Sequence, residues 1–168
     1  WPLDQGGIYQ GEAPRDFALE KRAHSAVFSP DNRFLFVPAT GPNQIFQLVF
    51  DPATGALQSN QPPSAAGPIG EGDARQPRHL IFHPTKAIAY TTLEQALPGV
   101  GVWKYHQEKG TLEVIQSLVS IAEAGDSAGM STADLHLSRD QRFLFVSNRD
   151  SKKSENPGDR RDAIAVFQ

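Results

Sequence analysis

The 168-residue chain contains no cysteine, which removes disulfides, thiolate metal sites and cysteine nucleophiles from consideration. Basic residues are not in excess either: 16 Lys and Arg stand against 19 Asp and Glu, a formal charge of −3. That balance offers no basic stripe to nucleic acid or to an anionic membrane surface, so neither is expected as a partner. No run of apolar residues approaches the roughly eighteen needed to cross a bilayer. The chain opens at Trp1 without a charged-then-apolar leader, and a cytoplasmic protein is the expectation. Punctuation, by contrast, is plentiful. Fourteen Gly and thirteen Pro interrupt the chain at short intervals, which favours many short strands over long helices.

The sequence also repeats itself. "SPDNRFLFV" at 29–37 returns as "SRDQRFLFV" at 138–146, with seven of nine residues identical. A weaker copy, "HPTKAIAYT", lies between them at 83–91, offset by 54 from the first and 55 from the third. "HSAVF", "RHLIF" and "ADLHL" precede the three copies at the same distance, and "QIFQLVFDPATGALQ" (44–58) matches "GVGVWKYHQEKGTLE" (99–113) downstream.

Each unit reads as strands separated by turns. "SAVF" and "HLIF" are first strands, closed by Ser-Pro-Asp-Asn and His-Pro-Thr-Lys turns. "RFLFV" and "AIAYTT" are second strands, "QIFQLVF" and "GVWKYH" third strands, and "ALQ" and "TLEVIQSLV" fourth strands. Four strands in a unit of roughly 50 residues is the pattern of a β-propeller blade. The expected fold is therefore all-β, with four-stranded antiparallel blades. The units are 24–77, 78–132 and an incomplete 133–168, preceded by a tail and connector over 1–23. Three blades do not close a ring, so the rest of the propeller is expected in the same, longer parent chain.

Where repeats disagree in polar residues, function is the candidate explanation. The position before the first strand holds His24, Arg78 and Ala133; the position after the second holds Thr40, Glu94 and Arg149. No structural rule requires charge at these places. Two arginines can grip carboxylate or phosphate groups, and a His beside a Glu forms an acid/base pair, without metal or cofactor. The plain structural alternative is that each is a solvated loop charge or an inter-blade salt bridge.

"AHSAVFSPDNRFLFVP", "QPRHLIFHPTKAIAYTTLE" and "ADLHLSRDQRFLFVSNRD" resemble successive blades of the lactonase family of seven-bladed propellers. That family includes bacterial propeller-type 6-phosphogluconolactonases and fungal 3-carboxy-cis,cis-muconate lactonising enzymes. The resemblance implies about three blades of seven here, and a site of one His, two Arg and one Glu. These fall on His24, Arg78, Arg149 and Glu94, with the arginines binding an anionic lactone or carboxylate and His24 and Glu94 moving protons. Hydrolysis of a sugar-acid lactone is the implied reaction; the same groups suit a lactone-forming cycloisomerase. A non-catalytic binding platform is the rival from another class.

Three further features complete the reading. Asp134 and His136 lie two apart, on one strand face, as a blade-locking hydrogen-bonded pair or as supports of the site, together with His79. His79 and His83, four apart on a strand, are too far separated to chelate a metal, and none is expected. Trp103 aligns with Leu48 and Phe167 as a core residue, the segment 67–77 reads as a flexible connector that places Arg78, and 151–159 lengthens the loop after Arg149.

Overall fold

The computed structural model describes residues 5–7, 16–20, 22–70, 73–95, 97–121, 129–151 and 162–168; most of the 151–159 segment, and much of 1–23, lies outside them. Every regular element among them is a strand. The first sheet runs β1 (Val27–Phe28), β2 (Phe34–Ala39), β3 (Gln44–Asp51) and β4 (Ala56–Ala66) in sequential order. A two-stranded ribbon follows, β5 (Ile69–Gly70) against β6 (Asp73–Ala74). The second sheet contains β7 (Pro77–Phe82), β8 (Ile88–Leu93), β9 (Gly99–His106) and β10 (Thr111–Val119), again as neighbours in sequence. The third has three strands, β11 (Met130–Leu137), β12 (Leu144–Asp150) and β13 (Ala163–Phe167). All pairings are antiparallel. Such meanders, stacked face to face, are propeller blades.

Stacking explains the composition of the strands. All six residues of β2 are buried. Phe34 and Phe36 face the second sheet and meet Leu80, Ala89, Trp103 and Tyr105, while Leu35 and Val37 face the other way with Leu48. Both faces of this strand therefore sit on apolar neighbours, and the usual polar-out alternation is lost. Trp103 is fully buried at the first interface, its indole Nε1 donating to Thr91 Oγ1 at 2.9 Å. Val100, Leu135, Leu144 and Val146 form the core between the second and third sheets. Each such large side chain contributes about 2–3 kcal/mol on burial.

Two strands differ in extent from the sequence reading. Only Val27 and Phe28 of "SAVF" pair as a strand, and the fourth strand of the first blade runs far past "ALQ", through Pro62 and Pro63. Prolines survive there because β4 is the outermost strand and its pairing slips between Phe46 and Leu48. In the described part of the 67–77 connector, residues 67–70 and 73–77, one side chain is firmly anchored. Arg75 is buried and donates from Nη1 to Ser117 Oγ and from Nη2 to the carbonyls of Leu97 and Leu118.

The repeated phrase forms the same turn twice. Ser29 N and Ser138 N donate to the carbonyls of Phe34 and Phe143, each at 2.8 Å. Both serine hydroxyls accept from the N–H of those same phenylalanines at 3.0 Å and donate to the following Asp31 or Asp140. Asn32 and Gln141 both take the left-handed conformation, with φ of 57° and 61°. In the middle unit His83 replaces the serine, its ring Nδ1 accepting from Thr85 N and Lys86 N. The second histidine of "HLIFH" is a turn cap.

Candidate functional site

The opposite end of the same strand pair carries a second repeated device. Ala23 faces Ala39 and Val27 faces Phe36, four steps on one side against three on the other. The same count recurs from Pro77↔Leu93 to Ile81↔Tyr90 and from Thr132↔Asn148 to His136↔Phe145. Every unit therefore has one extra residue in its first strand, a β-bulge. The bulged segments hold His24–Ser25, Arg78–His79 and Ala133–Asp134. Consecutive residues of a regular strand point to opposite faces; a bulge lets both side chains be used on one side.

The four ionisable residues of the two columns meet here. Glu94, directly after β8, places Oε1 3.2 Å from Arg78 Nε and 2.9 Å from Arg149 Nη2. Its Oε2 lies 3.8 Å from His24 Nε2. The Arg78 contact is an ion pair without hydrogen-bond alignment, since Nε has no hydrogen-bond partner. The two arginines are unequally held. Arg78 and Glu94 side chains are each 16% exposed, whereas that of Arg149 is 45% exposed. Arg78 also donates from Nη1 to Ala133 O at 3.0 Å, across the blade boundary. With His24 neutral, two guanidiniums against one carboxylate leave this group one positive charge in excess.

Burial first, and then the Arg78 guanidinium, pull the His24 imidazole below its ordinary value of 6.5, against Glu94, which pushes it up. A neutral ring at pH 7 can accept a proton. Its Nε2 lies 3.1 Å from Thr40 Oγ1, and Thr40 is 1% exposed.

Around this group lies a polar shell. His79 Nδ1 is 2.8 Å from Asp134 Oδ1, and His136 Nε2 is 3.1 Å from Asp134 Oδ2. Burial works to raise the Asp134 carboxyl, but hydrogen bonds from His79, the Leu135 N–H and His136 outweigh it and hold the group below the usual carboxylate range. The blade-to-blade link is thus Asp134 with His79; His136, on Asp134's own strand, is the more exposed partner. Sequence reasoning passed over the threonines. Thr40 occupies the column of Glu94 and Arg149, which was the available signal. Thr92 accepts from His79 N and donates to Ala133 O, and Thr132 Oγ1 donates to Leu93 O, none of which a repeat comparison marks.

Two cavities lie elsewhere. One of about 480 Å³ opens between the second and third blades beside Lys86, Tyr90, Leu118 and Arg142. The other, about 390 Å³, lies on the outer face of the first blade against Leu19, Leu35 and Leu48, and touches the site only at His24. Among the described residues no group of three or more His, Asp or Glu is arranged to hold a metal.

Stacked antiparallel blades whose first strands bulge to gather charged side chains at one end define a β-propeller with a polar site at its blade ends. Comparison with known families makes this specific. The chain belongs to the seven-bladed β-propeller lactonase family, whose model matches residues 5–168. It is 38% identical over 130 residues to the 6-phosphogluconolactonase of Enterobacter sp. (strain 638), covering 76% of this chain and 37% of that protein. To the 6-phosphogluconolactonase of Cronobacter sakazakii it is 36% identical over 128 residues, 75% and 36% of the two chains. Among solved structures it is similar to the periplasmic gluconolactonase PpgL of Pseudomonas aeruginosa, with a TM-score of 0.68 and 33% identity over 86% of this chain and 40% of that one. The chain thus spans well under half the length of these relatives, and its three sheets correspond to about three of seven blades.

Proposed function

We propose that the whole protein hydrolyses the lactone of an anionic sugar acid, with 6-phosphogluconolactone the first choice. The carrying observation is the convergence of Arg78, Arg149 and His24 on Glu94. One excess positive charge favours an anionic substrate, and the names of the relatives point to the same chemical class.

In this reading His24 Nε2 takes a proton from the water whose oxygen attacks the lactone carbonyl carbon. The oxyanion that forms is met by guanidinium N–H groups of Arg78 and Arg149 that Glu94 leaves unused. Collapse breaks the ring C–O bond, and the proton on His24 passes to the departing alkoxide, giving the hydroxy acid. Glu94 sets the two guanidiniums and supports the imidazolium while it exists. The sequence requires no cofactor. A phosphorylated lactone cannot leave the cell unaided, so this substrate goes with a cytoplasmic enzyme; an unphosphorylated gluconolactone goes with a periplasmic one.

The test is turnover of 6-phosphogluconolactone, gluconolactone and carboxymuconolactone by the full-length protein and by Arg78→Ala. Turnover above the spontaneous rate, lost in the variant, is expected. If the wild type turns over no lactone, a binding platform becomes the better account; normal turnover by the variant removes Arg78 from the site.

A further inference from the structure

We propose that His79 is a positioning residue: its ring fixes the Arg78 guanidinium, and Asp134 of the next blade fixes the ring. The inference rests on the reading of Arg78 as a substrate ligand. Arg78 and His79 are adjacent in β7, and only the bulge, in which both stand opposite Thr92 between Pro77↔Leu93 and Leu80↔Thr91, lets their side chains meet. Arg78 Nη1 and His79 Nε2 are 3.0 Å apart. A guanidinium has donors and no acceptor, so His79 Nε2 must offer its lone pair. The ring proton then sits on Nδ1, which faces Asp134 Oδ1 at 2.8 Å. One tautomer satisfies both contacts; the other points a proton at a cation.

The consequence is a count of the Arg78 donors. Both Nη1 hydrogens are used, one by Ala133 O and one by His79, and Nε faces Glu94. Among the described residues Nη2 has no hydrogen bond and Nε has only the unaligned ion pair with Glu94, so His79 decides which edge of the guanidinium is presented to substrate. Arg149 has no such brace among the described residues, where its hydrogen bond is to Glu94. The first blade repeats the logic in weaker form: Ser25, the second bulge residue there, donates to Arg78 O at 3.3 Å. In both blades the first bulge residue turns to the site and the second reaches the next blade.

Two substitutions separate the roles, because Asn places its amide near Nδ1 and Gln near Nε2. His79→Asn keeps a donor for Asp134 and loses the acceptor for Arg78; His79→Gln keeps the acceptor and loses the donor. Steady-state lactone turnover by the full-length protein, with melting temperatures, is the measurement. His79→Asn is expected to lose roughly 10- to 100-fold in kcat/KM at near wild-type melting temperature, and His79→Gln to recover most of it. Asp134→Ala, which leaves the ring but releases its tautomer, is expected to fall between them. Equal kinetics for the two His79 variants, or wild-type kinetics for Asp134→Ala, would overturn the proposal. Long-range ¹H–¹⁵N spectra of the ring give a readout independent of activity, with Nδ1–H expected and Nε2–H contrary. Should the wild type turn over no lactone, the site reading fails, and the spectrum still decides the link between His79 and Arg78.

Discussion

The first two strands of every blade meet at a turn at one end and at a bulge at the other, and the two ends differ in what they repeat. At the turn the side chains themselves make the closing hydrogen bonds, Ser29 to Asp31 and Phe34, Ser138 to Asp140 and Phe143. Where the serine is the fastener, its neighbours recur with it; in the middle blade His83 caps the turn instead. At the bulge the device is a count of residues along the backbone, the same in all three blades, and it places no demand on the side chains. His24–Ser25, Arg78–His79 and Ala133–Asp134 share a place in the pairing register and no chemistry. A propeller can therefore vary one end of the blade to build a site while the other end keeps the fold.

The sharpest way to test that division is to strike each end and read both activity and stability. Arg78→Ala, at the bulge, is expected to lower kcat/KM by about 10²–10³-fold, the loss typical of one donor to a developing oxyanion. Its melting temperature should change little, because Arg149 still neutralises Glu94 at 2.9 Å. At the turn end, in the β9–β10 connection between the third and fourth strands of the second blade, the pattern should invert. Gly110 has φ of +62°, and a Cβ there would collide with the Phe34 ring of the preceding blade. Gly110→Ala should cost about 2–3 kcal/mol in urea unfolding and leave turnover per folded molecule intact. A variant that moved both quantities together would break the comparison.

The same division explains what could be read in advance from residues. The strands were legible because apolar runs and turn residues are local, and Gly55 over Gly110 marked equivalent turns that both need left-handed backbone. Trp103 was legible as core from its column alone. Glu94 and the three residues gathered on it were legible because repeats hold the register fixed, so that departures stand out. The bulge was not, since one extra residue in a strand leaves no mark on composition. Without it, strand alternation sends Arg78 and His79 to opposite faces and hides their contact. Asp134 was placed in a blade lock, but its partner across the boundary is a histidine 55 residues away, which no spacing rule on one strand can supply.

A gentler blow at the turn is Ser29→Ala. It removes the acceptor for Phe34 N and the donor to Asp31 while Ser138 keeps the equivalent turn whole. The expected cost is about 1–2 kcal/mol, because a buried N–H loses its partner, and kcat/KM should be unchanged. Chemical unfolding beside a turnover assay checks both halves of that statement.

The smallest effect concerns two histidines, one at each end. His24 is lowered by burial and then by Arg78; His83 is lowered by burial and then by Lys86. For both, the unfolded chain binds a proton near pH 6.5 before the folded protein does, so stability declines as pH falls through that value and levels off once the folded rings are protonated. Only His24 should carry activity with it. Replacing His83 by the serine of the other two turns is expected to flatten the decline in melting temperature between pH 7 and 5, by about a few degrees at most, and to leave the acid limb of kcat/KM where it was. Arg149→Gln should do the reverse. It removes one of the cations that lower His24, so the acid limb moves to higher pH, whatever the loss in its height. Movement of the limb in His83→Ser would show that the two ends of the blade are coupled after all.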